Sequence, residues 1–246
     1  VLDVPLKFKK PFNVNSKNSS VYVKKCLITG HKLCLKKRIK GMINCSINKN
    51  TVFKNKNLGV TEFLAKKNKL YNSEVMIIYN KKLSVCPITT HLPIKLVSNK
   101  IKKKGISEKV FLINNFYIKK FGFKPKIAIL GLNPHCESIH KYNEDDKIIK
   151  PIVKHLNTKY SVSGPFSADT IFLKNNRKKF DVIVGMYHDQ VLAPLKTLFE
   201  YDAINITLGL PFDRISPDHG PNEKMVGRNI SNPLSLLKAI QFLGKY

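Results

Sequence analysis

Six short apolar runs limit how this chain can fold: Met42–Cys45, Val75–Tyr79, Leu83–Ile88, Lys126–Leu132, Asp181–Met186 and Ala203–Leu208. Each has the length of a strand, and several are apolar throughout, as strands covered on both faces must be. Longer stretches with helical spacing lie between them, so the pattern predicts an α/β protein with a largely parallel sheet. In NEDDKIIKPIVKHL, Asn143 is placed to cap a helix and carboxylates fill the first turn, where the helix dipole favours them. Ile148, Ile149, Ile152 and Leu156 then share a face, and Pro151 predicts a kink or a later start. Near the C-terminus Asn232 is a cap, Pro233 suits the first helical position, and Gly244 ends a helix whose core stripe is Leu236, Leu237, Ile240 and Leu243.

At 246 residues and 43% apolar content, one or two globular domains are expected. No run approaches the roughly 18 apolar residues of a membrane span, and the first residues do not read as a signal peptide. Cys26, Cys34, Cys45, Cys86 and Cys136 are odd in number and follow no CxxC spacing, so reduced thiols and a cytoplasmic location are expected. The formal charge of +28 raises the question of a nucleic-acid partner. Its lysines, however, are spread along the whole length, without an Arg-rich arm, zinc-finger spacing or an aromatic-basic strip, so no dedicated nucleic-acid binder is expected.

Three histidines follow expected strands at their carboxyl ends: His91 after LSVCPITT, His135 after KIAILGLNP and His188 after DVIVGMY. In open α/β sheets ligands bind at that edge. Three imidazoles there suit a divalent metal with coordination sites left for substrate. Each alone suits equally a strand-end histidine bonded to a backbone group, and spacing does not show that the three converge. His31, His140 and His155 are expected to face solvent. In SPDHG, Asp218 either fixes the tautomer of His219 or closes an Asx-turn. Lys196 and Arg214 are cations suited to a phosphorylated or carboxylated substrate near such a metal.

The segments TEFLA, TTHLP, GLNPH, GPFSADT, MYHDQ, NITLGLPF and SPDHG, running from about Thr61 to the C-terminus, resemble the 4-hydroxythreonine-4-phosphate dehydrogenase family in order and spacing. The resemblance implies two α/β/α domains around a cleft, as in the isocitrate and isopropylmalate dehydrogenases, and a homodimer with active sites at the subunit interface. It implies that His91, His135 and His188 hold a divalent metal (zinc, magnesium, manganese or cobalt) and that Thr61, Lys196, Asn205 and Arg214 contact substrate. Asp218, His219 and Gly220 are implied on the side of the cofactor, NAD or NADP; no Gly-x-Gly-x-x-Gly is present. The implied reaction oxidises 4-phosphooxy-L-threonine, a small phosphorylated substrate, with decarboxylation to 3-amino-2-oxopropyl phosphate, in pyridoxine 5'-phosphate biosynthesis. The proton-transfer residue is not identified.

The expected domains are 1–57 with 206–246, a partial first α/β domain, and 58–205, which carries the metal histidines. Three departures from the family pattern stand out. Val60 occupies the place of a substrate-contacting histidine, Pro221 and Asn222 follow DHG in place of Thr-Ala, and the family carries further strand and helix units ahead of residues 1–60, so the chain reads as N-terminally truncated. They keep open a sister dehydrogenase acting on a phosphothreonate or phosphoerythronate, and a truncated homologue without catalysis. A tri-histidine zinc hydrolase would need a general base, for which Glu137 is the candidate.

Overall fold

A computed structural model describes residues 1–10, 16–53, 59–70, 74–141, 143–221 and 223–246. The chain opens with helix α1 (Ser16–Leu35), strand β1 (Gly41–Ile43), and helices α2 (Lys49–Phe53) and α3 (Val60–Lys67). Strands β2 (Val75–Tyr79) and β3 (Ser84–Thr89) come next, then α4 (Val97–Lys100), α5 (Lys103–Phe121) and β4 (Ile127–Leu130). A π-helical turn at Asp145–Ile149 leads into α6 (Lys150–Asn157), followed by β5 (Val162–Phe166), α7 (Ala168–Ile171) and α8 (Lys174–Arg177). The last elements are β6 (Val182–Tyr187), α9 (His188–Phe199), β7 (Ile204–Leu208), β8 (Asp213–Pro217) and α10 (Leu234–Lys245).

Two compact units result, Val1–Glu74 with Gly209–Tyr246, and Val75–Leu208. The boundary expected at 57/58 lies outside the described residues, and the chain passes into the second unit after Glu74. The reason is α3: Val60 and Leu64 pack with Leu27, Cys34, Met42 and Phe53 in the core of the first unit. The return crossing, expected at 205/206, falls at 208/209, the end of β7.

In the second unit the strands run in the order β7-β2-β3-β6-β4-β5. The pairs β3–β6, β6–β4 and β4–β5 are parallel, whereas β2 is antiparallel to both β3 and β7, so the sheet is largely parallel, as expected, with β2 reversed. All six residues of β3 are buried. Since alternate side chains point to opposite faces, both faces of that strand are covered. Helix α9 covers β3 and β6 through Val191, Leu192 and Leu195, each buried side chain contributing about 1.5–3 kcal/mol. Helix α5 lies against β2, β3 and β7.

The edge strand β5 is not among the expected strands; it contains Gly164 and Pro165, residue types that are depleted in strands. Pro is tolerated at a sheet edge, and a Cβ at Gly164 would run into the Ile129 carbonyl of β4. In the first unit β1 and β8 form a parallel pair, with Met42 beside Arg214. Asn143 accepts the Asp146 N–H at 3.0 Å and Asn232 the Leu234 N–H at 2.9 Å, the two caps expected. The α10 stripe is displaced from the one expected: Ser235, Ala239 and Phe242 are buried, while Leu237 and Ile240 are about half exposed. His31, expected in solvent, is buried against Asn68 Oδ1 at 3.2 Å and edge-on to Phe212.

Candidate active site

The parallel strands β3, β6 and β4 bring the sequences that follow them to one edge of the second unit's sheet. Thr89 pairs with Tyr187, so His91, two residues past β3, and His188, the first residue of α9, leave neighbouring strand ends. Their rings lie 6.0 Å apart between centroids at 35°. Both line a cavity of about 160 Å³ together with Thr89, Ile94, Tyr187 and Asp189. His188 Nδ1 is 2.6 Å from Asp189 Oδ1. With Nδ1 donating to that carboxylate, Nε2 carries the lone pair that a metal requires, the usual way in which a ligating imidazole is oriented.

His135 is placed differently. It is exposed, has φ of 56°, and is not among the side chains lining that cavity. Among the described residues no three His, Cys, Asp or Glu side chains are gathered to hold a metal ion. The structure therefore brings together two of the three expected ligands. His91 shares the left-handed backbone of His135, with φ of 52°; such conformations persist where the surroundings hold them.

For His135 the surroundings are a clasp that the sequence reading missed. Asp145, fully buried, accepts the Leu132 N–H at 2.8 Å, the Asn133 N–H at 3.0 Å and Asn133 Nδ2 at 2.8 Å. Glu144 accepts from Asn133 Nδ2 at 3.2 Å and from Ser98 Oγ. Burial alone would push the Glu144 carboxyl up; the Ser98, backbone and Asn133 hydrogen bonds outweigh it and hold the group below its ordinary value. Gly131 is required here, since a Cβ would come within 2.7 Å of both Asp145 Oδ1 and Cys136 Sγ. In the sequence Asp145 reads only as a carboxylate in a helical first turn.

Of the expected substrate-contacting residues, Arg214 and Thr61 meet in the first unit. Arg214 Nε donates to Asn44 Oδ1 at 2.9 Å and Nη1 to Thr61 Oγ1 at 3.2 Å. Arg214 is 4% exposed, and burial draws its pKa down to about 10, against a smaller upward pull from Glu62. A buried guanidinium is suited to an anion. Asn44 was missed because it lay inside an expected strand, whereas β1 ends one residue earlier. Val60, at the start of α3, is buried in the core of its unit and offers no polar group.

In the second unit Asn205, on β7 opposite Ile78, has a buried Oδ1 without a hydrogen-bond partner among the described residues, an acceptor suited to a ligand donor. Lys196 is half-buried on α9, beside the core-facing Leu195. Asp218, His219 and Gly220 follow β8, where the Asp218 N–H donates to Ser235 Oγ at 2.9 Å and the His219 carbonyl accepts from Ser46 Oγ. His219 Nδ1 donates to the Gly220 carbonyl at 2.9 Å, so that backbone group sets its tautomer. A Cβ at Gly220 would meet open space.

The family profile described as "Pyridoxal phosphate biosynthetic protein PdxA" matches residues 1–243, so the likeness reaches well upstream of Thr61. The 4-hydroxythreonine-4-phosphate dehydrogenase of Sulfurihydrogenibium sp. is 41% identical over 97% of this chain and 74% of its own length. That of Aquifex aeolicus is 39% identical over 75% of this chain; the match spans only 58% of that relative's length. The crystal structure of the 4-hydroxythreonine-4-phosphate dehydrogenase from Klebsiella pneumoniae superposes with a TM-score of 0.83 at 28% identity, covering 99% of this chain and 76% of that one. The α/β class expected from the alternating pattern is the one observed, and it is shared with these dehydrogenases.

Proposed function

The chain belongs to the PdxA family of pyridoxal phosphate biosynthetic proteins, and from that premise we propose that it acts as a 4-hydroxythreonine-4-phosphate dehydrogenase dependent on NAD or NADP and a divalent metal. The observation that carries the reading is the facing pair of His91 and His188 at neighbouring strand ends, with Asp189 orienting His188. Two imidazoles and a cavity beside them fit zinc, cobalt, manganese or magnesium with sites left for substrate oxygens. When bound, the ion polarises the substrate alcohol and then the ketone.

NAD or NADP, when bound, would take up the hydride lost from the carbinol carbon of 4-phosphooxy-L-threonine as the hydroxyl proton is released. The resulting β-keto acid loses carbon dioxide to give 3-amino-2-oxopropyl phosphate. Arg214, positioned by Asn44 and Thr61, holds an anionic group of the substrate, and Lys196 supplies a second cation. Asn205 Oδ1 accepts from a substrate donor. Asp218, His219 and Gly220 contact the dinucleotide.

We further propose a homodimer in which His135 of a second copy completes each metal site. The exposure of His135 and its absence from the His91–His188 cavity support that assembly. A cytoplasmic setting accords with five free thiols.

The test is reduction of the dinucleotide, followed by absorbance, with purified chain, added metal and 4-phosphooxy-L-threonine, beside His188→Ala. Metal-dependent turnover lost in His188→Ala is expected; equal turnover in the variant overturns the site assignment. The burial of Val60 favours one second reading, a sister activity on phosphothreonate or phosphoerythronate, and the same assay with those substrates separates the two.

A further inference from the structure

We propose that Gln190 is a positioning residue for the histidine ligands: its amide fixes the end of β4, which leads to His135, against the end of β6, which leads to His188. The inference rests on the metal-binding reading above. Gln190 lies in the first turn of α9. Its Oε1 accepts the Met186 N–H at 2.6 Å, and its Nε2 donates to the Gly131 carbonyl at 2.8 Å. The Met186 N–H can only donate and the Gly131 carbonyl can only accept, so one side-chain amide answers both and a carboxylate answers only one.

The Met186 carbonyl in turn accepts from Thr89 Oγ1 at 2.8 Å, two residues ahead of His91. Thr89, Met186, Gln190 and Gly131 thus form one hydrogen-bonded chain across the three strand ends that carry His91, His188 and His135. Beyond Gly131 the next two backbone N–H groups are held by Asp145, so little slack remains before His135. Glycine makes the room: a Cβ at Gly185 would lie 2.9 Å from Gln190 Oε1. Gln190 reaches only backbone atoms in these bonds, and so acts by fixing the segments that bear the ligands: that of His188 for the metal site of its own chain, and that of His135 for the site of the second copy. Groups of this kind typically alter metal affinity by about 10–100-fold.

The experiment titrates the whole chain with Co²⁺, following its ligand-field spectrum, for Gln190→Met, Gln190→Glu, His135→Ala and the Gln190→Met/His135→Ala double variant, with thermal midpoints alongside. Expected results are a loss of Co²⁺ affinity of about tenfold in Gln190→Met, no rescue by Gln190→Glu, and an effect of Gln190→Met within about twofold once His135 is absent. A lower midpoint with unchanged Co²⁺ affinity, or losses that add fully in the double variant, overturns the positioning role while leaving the metal reading intact. If His135→Ala itself leaves Co²⁺ binding unchanged, His135 is not a ligand and the role of Gln190 falls with that assignment, while the His91–His188 pair is judged by His188→Ala.

Discussion

Arg214 and Thr61, far apart in sequence, meet through a 3.2 Å hydrogen bond from guanidinium to hydroxyl, in a setting where the arginine is almost wholly buried. Burial lowers its pKa from the ordinary arginine value to about 10. Between those values the unfolded chain keeps a proton that the folded chain has released, so stability rises with pH across the window; below about 10 the cost of burying the charge is present in full. Arg214→Met is therefore expected to leave the unliganded protein as stable or up to about 2 kcal/mol more stable in urea, while raising KM for the phosphorylated substrate at least about 100-fold. A strongly destabilised Arg214→Met protein counts against this account.

Asp145 makes the opposite case, a buried carboxylate answered by three N–H donors. Asp145→Asn replaces one acceptor oxygen with a donor facing N–H groups and is expected to cost about 3 kcal/mol, read as a lower urea midpoint at unchanged slope.

Gly131→Ala places a methyl group against Asp145 Oδ1 and Cys136 Sγ, both at 2.7 Å. A loss of about 1–3 kcal/mol is expected in thermal unfolding, with weaker Co²⁺ binding, because the strain falls on the segment leading to His135. Wild-type stability in this variant refutes the tight packing.

The packed face of α10 is tested by charge. Leu237→Lys and Ile240→Lys are expected to shift stability by about 0.5 kcal/mol or less, and Ala239→Lys, at a fully buried position, to cost several times that or prevent folding. The reverse ranking would restore the leucine stripe suggested by sequence spacing.

The expected strands recur within a residue or two of their bounds, because each is a short run of apolar residues flanked by polar or turn-forming ones. The direction of β2 was not legible: an apolar strand buried on both faces reads the same whether its neighbours run with it or against it. β8 escaped because Asp213 and Arg214 look like loop residues, although Arg214 is buried by what it binds. The α10 face escaped because Ser235 and Ala239 bring the helix close to its unit's core, and small residues carry little weight in a hydrophobic stripe. At the site, the strand-end context put His91 and His188 at the ligand-binding edge of the sheet, but spacing did not show that their rings would face each other. The separate placement of His135 depends on a loop clasped by Asp145, which sequence spacing does not record.

The way the units are threaded also sets an order of events during synthesis. Residues 75–208 form an uninterrupted unit that is complete before the final segment of the other unit has been made. Asn44 and Arg214 are 170 residues apart, so at about 5–20 residues per second the ribosome takes roughly 10–30 s to deliver β8 after β1. Throughout that interval β1 lacks the strand it pairs with in the finished protein, and that edge stays open until β8 arrives.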